Sequence, residues 1–135
     1  MATFSKITLS ASVNGKAIQV PVYLGPGNAG VVVHTTLVNA VDEIWLWAVN
    51  YATGTVTAGV QWGQISGTKE IVMPILNWPG NSSATTQGGL YFNQALGGAA
   101  LIIPGLILTG GLAIRMYCSA NSSLSVHGYV NRITP

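Results

Sequence analysis

Charge is what this sequence has least of. Lys and Arg number five and Asp and Glu number three, so charged residues make up 6% of the chain, against about 25% in an ordinary soluble domain. Disorder is nevertheless excluded, because 49% of the residues are hydrophobic and a chain of that composition can form a core. A folded monomer of this mass exposes roughly 6,700 Å², or about one charge per 800 Å². To remain soluble, a protein with so few surface charges must either expose uncharged polar side chains or have much of its surface covered by neighbouring molecules.

Basic clusters and cysteine pairs are also missing, which excludes several classes of binding protein. The net charge is only +2 and no stretch concentrates Lys or Arg, so no nucleic-acid partner is predicted. The single cysteine, Cys118, cannot form an intrachain disulfide and is predicted to be a small buried hydrophobic residue. No Cys/His set has the spacing of zinc ligands, so neither a metal nor a cofactor is predicted. Residues 1–9 show no apolar leader, which predicts synthesis in the cytosol.

Catalytic groups are scarce. Asp42 and Glu43 are adjacent in a predicted strand, so they point to opposite faces and cannot flank one bond as a carboxylate pair. His34 and His127 each lie within a predicted strand, where a hydrogen-bonded structural role is favoured over that of a base. The sequence contains neither a nucleophile elbow nor a phosphate loop. It therefore predicts no catalytic residue and no enzymatic activity.

One uncharged stretch, Ala95–Ile114, is long enough to span a bilayer. Its glycines and Pro104 divide it into pieces of strand length: Ala99–Ile103, Leu106–Thr109 and Leu112–Tyr117. Lipid cannot satisfy the hydrogen bonds of a backbone broken in this way. We therefore predict three short strands and no membrane partner.

Short strands separated by turns account for the whole chain. Lys6–Val13 alternates polar and apolar residues, and Asn14-Gly15 is a strong hairpin signal. Ala17–Leu24 is predicted to return, and because it contains Pro21 it is expected to be an edge strand or to have a bulge. No segment has enough helix-forming residues for a helix of any size. About nine or ten strands at this spacing predict an all-β fold, a single-domain antiparallel β-sandwich of jelly-roll type over residues 1–135.

Two segments lie outside this regular pattern. Met1–Ser5 is a candidate N-terminal arm, and residues 77–89 form the longest polar loop. Loops of that length are usually functional or mobile. Trp78 lies in this loop beside Asn77 and Asn81, which makes it the best-placed tryptophan for stacking on a sugar. A loop tryptophan more often caps a core or inserts into a neighbouring protein.

The strand Glu43–Val49 is the most informative segment, because both of its faces are apolar. Ile44, Leu46 and Ala48 lie on one face, and Trp45, Trp47 and Val49 lie on the other. In a two-sheet sandwich only one face of each sheet meets the core. The second face is therefore expected to be covered by a loop or an extra strand, by another subunit, or by a sugar that stacks on the tryptophans.

Three segments carry a family resemblance. They are Asp42–Asn50 (Asp-Glu-Ile-Trp-Leu-Trp-Ala-Val-Asn), Ile103–Leu106 (Ile-Pro-Gly-Leu) and Gly128–Ile133 (Gly-Tyr-Val-Asn-Arg-Ile). The chain resembles, over residues 3–134, the small β-rich decoration or cement proteins of tailed-bacteriophage capsids. The loop at residues 77–89 looks longer than is expected in that family.

The resemblance implies a β-sandwich that forms homotrimers on the outer capsid surface of the virion. There it would bridge capsomers of the major capsid protein and strengthen the shell. No catalytic residue is carried over. A carbohydrate-binding module that uses Trp78, or another virion component such as a tail or head-fibre part, is the alternative, with a glycan as the less favoured partner.

The low charge independently predicts surfaces that are buried against neighbours. We expect the tryptophans and one apolar stretch to provide them. The candidate interface residues are Trp45, Trp47, Trp62, Trp78, Leu101, Ile103, Leu106 and Leu108.

Overall fold

Nine strands form two sheets in the part of the chain that the structure, a computed structural model, describes. The described residues are 1–22, 28–50, 56–63, 70–75, 100–119 and 124–135. The strands are β1 (Thr3–Thr8), β2 (Ile18–Val20), β3 (Val31–Thr35), β4 (Val41–Asn50), β5 (Val56–Trp62), β6 (Glu70–Ile75), β7 (Ala100–Thr109), β8 (Ala113–Cys118) and β9 (Leu124–Thr134). All the paired strands are antiparallel. The predicted all-β sandwich is therefore confirmed.

The first sheet has the order β1–β9–β4–β7, and the second has the order β3–β8–β5–β6. Strand β9 is long enough to pair with β1 along one half of its edge and with β2 along the other half. On its opposite edge β9 pairs with β4 over ten residues. Strands β4 and β9 thus form the centre of the first sheet, and β7 is its edge.

The predicted hairpin at Asn14-Gly15 is wrong. Both residues do adopt positive φ angles, 54° and 79°, but β1 and β2 each run antiparallel to β9 and therefore point the same way. Between them the chain detours to the second sheet, where Ala11 N donates to Val33 O at 3.3 Å. Leu9 enters the core on this detour, with 1% of its surface exposed. Burial of Leu9 and bonding to the edge of β3 outweigh the local turn preference.

The predicted break at Pro104 is also wrong, because β7 continues through it. Proline is tolerated at a sheet edge, where its missing N–H costs no ladder bond. Gly105 follows with a φ of 75° and forms a bulge, at which the pairing of β4 with β7 shifts by one residue. Two predicted pieces, Ala99–Ile103 and Leu106–Thr109, are thus one bulged edge strand.

The core lies between the two sheets. Alternate residues of β4 point into it, namely Ile44, Leu46 and Ala48, and all three are fully buried. Cys118 is also fully buried in this core, as its sequence context predicted.

Candidate functional site

Three aromatic side chains lie together on the outer face of the first sheet. Trp45 and Trp47 project from β4, and Tyr129 projects from β9 directly opposite Trp45. Their ring centroids are 6.1–6.4 Å apart, and their planes are inclined by 14–33°. All three are half-buried. We call this cluster the aromatic face.

Two glycines make room for Trp45. A Cβ on Gly105 of β7 would lie 2.8 Å from Cζ2 of the indole, and one on Gly128 of β9 would lie 1.9 Å from the carbonyl oxygen of Trp45. Both contacts are too short for any side chain, so the glycines let the indole and the backbone of β4 approach the neighbouring strands. The segments Asp42–Asn50, Ile103–Leu106 and Gly128–Ile133 therefore meet around Trp45.

Polar groups border the aromatic face. The Glu43 carboxylate accepts hydrogen bonds from Trp45 Nε1 and, at 3.1 Å, from Asn131 Nδ2. These two bonds, that of Trp45 first, lower the pKa of Glu43 below its ordinary value. Lys6 Nζ lies 4.4 Å from the centroid of the Tyr129 ring, a cation–π contact.

A surface depression of about 300 Å³ adjoins the aromatic face. This volume is at the lower end of the range for small-molecule sites, about 300–1,000 Å³. Its lining residues are Phe4, Ser5, Lys6, Glu43, Asn131, Arg132 and Ile133. Sequence reasoning missed Lys6, Tyr129 and Asn131, although alternation within Gly128–Ile133 places Tyr129 and Asn131 on one face.

A buried polar network crosses between the sheets near this end of β4. The Asp42 carboxylate accepts two hydrogen bonds from Arg132, through Nε at 2.7 Å and Nη2 at 2.6 Å. His34 Nε2 lies 2.8 Å from Asp42 Oδ2, and His34 Nδ1 accepts a hydrogen bond from Ser10 N at 3.0 Å. His34 and Asp42 are both fully buried.

Within this network the Arg132 guanidinium balances the charge of the Asp42 carboxylate. Burial alone would raise the pKa of the Asp42 carboxyl, but the hydrogen bonds from Arg132 and His34 outweigh it and lower this pKa. Burial lowers the pKa of His34 despite its bond to Asp42. Because Ser10 donates to Nδ1, His34 carries its proton on Nε2, and both ring nitrogens are engaged. The geometry gives His34 a structural role, that of joining the two sheets.

The other histidine, His127, lies on the outer face of β9. It pairs in register with Trp47, and burial lowers its pKa. It therefore belongs to the surroundings of the aromatic face.

A second candidate region lies at the end of the sandwich where β3 leads to β4 and β7 leads to β8. Thr36 N donates to Leu112 O at 2.9 Å, which holds the two connections together. Three large apolar side chains there are 47–75% exposed. We call them the apolar tip: Leu37, Val38 and Leu112.

The predicted interface residues separate into groups. Trp45 and Trp47 lie on the aromatic face, and Leu101 is exposed beside them, opposite Trp47. Leu106 is 43% exposed on β7, where it pairs with Ile44.

Three of the predicted interface residues instead pack inward. Ile103 and Leu108 belong to the core, with 1% and 7% of their surface exposed, so their assignment to an interface is wrong. Both project from the inner side of β7. Trp62 is half-buried and packs against the core. Trp78 and the loop at residues 77–89 lie outside the described residues.

Within the residues that the structure describes, no cluster of three or more His, Cys, Asp or Glu side chains could hold a metal ion. Nor does this part of the chain contain a helix long and apolar enough to cross a membrane.

Comparison of the chain with protein-family models, with curated proteins and with solved structures found no match.

Proposed function

We propose that this chain is a structural protein of a virus particle: a decoration protein that trimerises on the outside of a tailed-phage head and bridges its capsomers. The observation that carries the proposal is the apolar tip. Monomeric proteins rarely leave a contiguous apolar patch uncovered, and such patches usually mark contacts with other proteins.

The distribution of charge supports the same proposal. Asp42 and Arg132, two of the eight charged residues, form an ion pair in which Asp42 is fully buried and Arg132 is 14% exposed. The exterior is therefore even poorer in charge than the composition indicates. A subunit whose surface is shared with neighbours can tolerate this, whereas a free monomer depends on surface charge to remain dispersed.

The mechanism requires no chemistry. A stable interface buries about 1,200–2,000 Å² in total, and the tip of each subunit supplies part of such an area. Three subunits related by a threefold axis present three copies of every contact, so weak contacts with the major capsid protein act together through their effective concentration. Assembly would take place in the host cytoplasm, on the finished shell.

The first test measures the mass of the protein in solution by light scattering. We expect a trimer for the native chain and for Val13→Lys, and a monomer for Val38→Lys. The two valines are 67% and 75% exposed, and only Val38 belongs to the apolar tip. A stable monomer at micromolar concentration, or equal effects of the two substitutions, would contradict the proposal.

The second test addresses the capsid itself. Purified heads of the phage that encodes the chain should bind the native protein and Val13→Lys, and the bound protein should appear between capsomers by electron microscopy. Val38→Lys should bind at least tenfold more weakly. If the protein were found only in the tail, the capsid proposal would be wrong, and the chain would instead be a tail component of the virion.

A further inference from the structure

We infer that the aromatic face and the depression beside it form a binding site for a neutral glycan. The structure brings together Trp45, Trp47 and Tyr129 as a stacking surface, with Glu43 and Asn131 at its border. This inference goes beyond the proposed function and does not rest on it, because none of these residues belongs to the apolar tip.

The arrangement of the rings suits a flat, amphipathic ligand. The three planes lie within 33° of parallel, and the three side chains project from the same face of one sheet, so a ligand on that face can contact all of them. A pyranose ring has one face rich in C–H groups, which packs on such a surface, and a circumference of hydroxyls. Aromatic side chains contribute large contact areas with little loss of conformational freedom on binding.

The polar groups at the border suit the hydroxyls. A carboxylate accepts several hydrogen bonds, and a primary amide both donates and accepts. Glu43 is already oriented by Trp45 and Asn131, so little further ordering is needed when a ligand binds. An ionised carboxylate forms stronger hydrogen bonds with hydroxyl groups than a neutral oxygen does.

The depression adds a second apolar contact. Phe4 is 75% exposed and lines the same depression as Glu43 and Asn131. A sugar unit seated there would have an aromatic residue on β1 near one side and the aromatic face near the other. The adjoining surfaces therefore favour a ligand of more than one sugar unit.

Two other ligand classes fit less well. A quaternary ammonium group requires aromatic rings that surround it, whereas these rings are nearly parallel and the Lys6 ammonium group already contacts Tyr129. Stacked nucleobases come with phosphates, which need a basic groove. Of the two cations that line the depression, Arg132 is bound to Asp42, and Glu43 would repel phosphate.

The test begins with the intact chain on an array of neutral and acidic glycans. It continues with titrations of maltotriose, cellotriose and triacetylchitotriose, followed by tryptophan fluorescence and by amide chemical shifts. We expect at least one neutral glycan to bind and to shift resonances of β4 and β9. Trp47→Ala and Glu43→Gln should each weaken that binding at least tenfold.

The matched control is Tyr117→Ala, which removes a half-buried aromatic side chain from the second sheet and should leave the affinity unchanged. Glu43→Gln preserves side-chain shape, so it remains informative if Trp47→Ala fails to fold. The inference is overturned if no neutral glycan binds, if only acidic glycans bind, or if both variants retain native affinity. It is also overturned if Trp47→Ala dissociates the oligomer and leaves glycan binding intact.

Discussion

Asp42 and Glu43 are neighbouring acids on one strand, and they serve opposite surfaces. Asp42 points inward, where it is fully buried and bound to Arg132 and His34. Glu43 points outward, where it accepts hydrogen bonds from Trp45 and Asn131. Of the three acids in the chain, Asp42 thus belongs to the interior, and Glu43 borders the half-buried aromatic face.

Because of these different surroundings, substitution of Asp42 and substitution of Glu43 should reduce the stability of the fold by different amounts. A buried ion pair contributes little compared with well-packed apolar residues, but removal of one partner leaves the other charged and buried. When Glu43 is truncated, water can take the place of its half-buried carboxylate. The inner acid should therefore control stability, and the outer acid should control binding.

The largest effect is expected from Asp42→Ala. It leaves the Arg132 guanidinium and the imidazole of His34 without their acceptor, and breaking a buried pair costs about 3–5 kcal/mol. Because Arg132 is 14% exposed, we expect a loss near the lower end of that range. Urea unfolding followed by circular dichroism measures it, with Glu43→Ala as the matched control. If Asp42→Ala and Glu43→Ala lost the same free energy of unfolding, the different roles of the buried and the outer acid would be contradicted.

A smaller effect is expected at the outer face from Gly105→Ala. The φ of Gly105 is 75°, which costs a residue with a side chain about 1–2 kcal/mol. The new Cβ would also lie 2.8 Å from Trp45, so the indole must move. Gly110→Ala is the control, because Gly110 has the same φ and nothing within 4 Å of its Cβ position.

Both variants should lose free energy of unfolding because of the positive φ. Any additional loss in Gly105→Ala measures the cost of the close contact with Trp45. We expect Gly105→Ala to be the less stable of the two and to change the tryptophan fluorescence. Identical unfolding curves and spectra would show that Trp45 is not held against β7.

Local patterns predicted the strands but not how they meet. The alternation in β4 correctly placed Ile44 and Leu46 on one face and the tryptophans on the other, because a strand fixes that alternation by itself. The path after β1 could not be predicted, because Asn14-Gly15 favours a hairpin locally. The burial of Leu9 and the bonds to β3 depend on contacts distant in sequence.

The border of the aromatic face was missed for the same reason. Lys6 reaches Tyr129 only because β1 pairs with β9 in the register that places Lys6 opposite Asn131. These residues lie at opposite ends of the chain, so no local pattern relates them. The contact of His34 with Asp42 likewise crosses from one sheet to the other.

The next effect is the dependence of stability on pH. The folded-state pKa values of His34 and His127 are lowered by burial, so the unfolded chain binds more protons below the ordinary histidine value of about 6.5. The stability that these residues contribute is present above that pH and is lost as the pH falls towards the folded pKa values. Each additional proton bound by the unfolded chain removes about 1.4 kcal/mol per pH unit.

A second loss should begin below about pH 4, where the unfolded carboxyls protonate, because the pKa values of Asp42 and Glu43 are also lowered in the fold. Unfolding midpoints measured from pH 8 to pH 3 test both steps. His34→Gln should reduce the loss that begins near pH 6.5, whereas the loss below about pH 4 should persist, because Arg132 still lowers the pKa of Asp42. A midpoint that stays constant between pH 7 and pH 5 would contradict the burial of neutral histidines.

The smallest effect on stability is expected from Glu43→Gln. The amide keeps the shape of the side chain and an oxygen that accepts from Trp45 Nε1, so the urea midpoint at pH 7 should match that of the native chain. The acid-induced loss below about pH 4 should shrink, because one carboxyl with a lowered pKa is gone. Asp42→Asn is the paired variant and should unfold at clearly lower urea. If Glu43→Gln destabilised the fold as much as Asp42→Asn, both acids would belong to one structural network, and the outer face would lose its separate role.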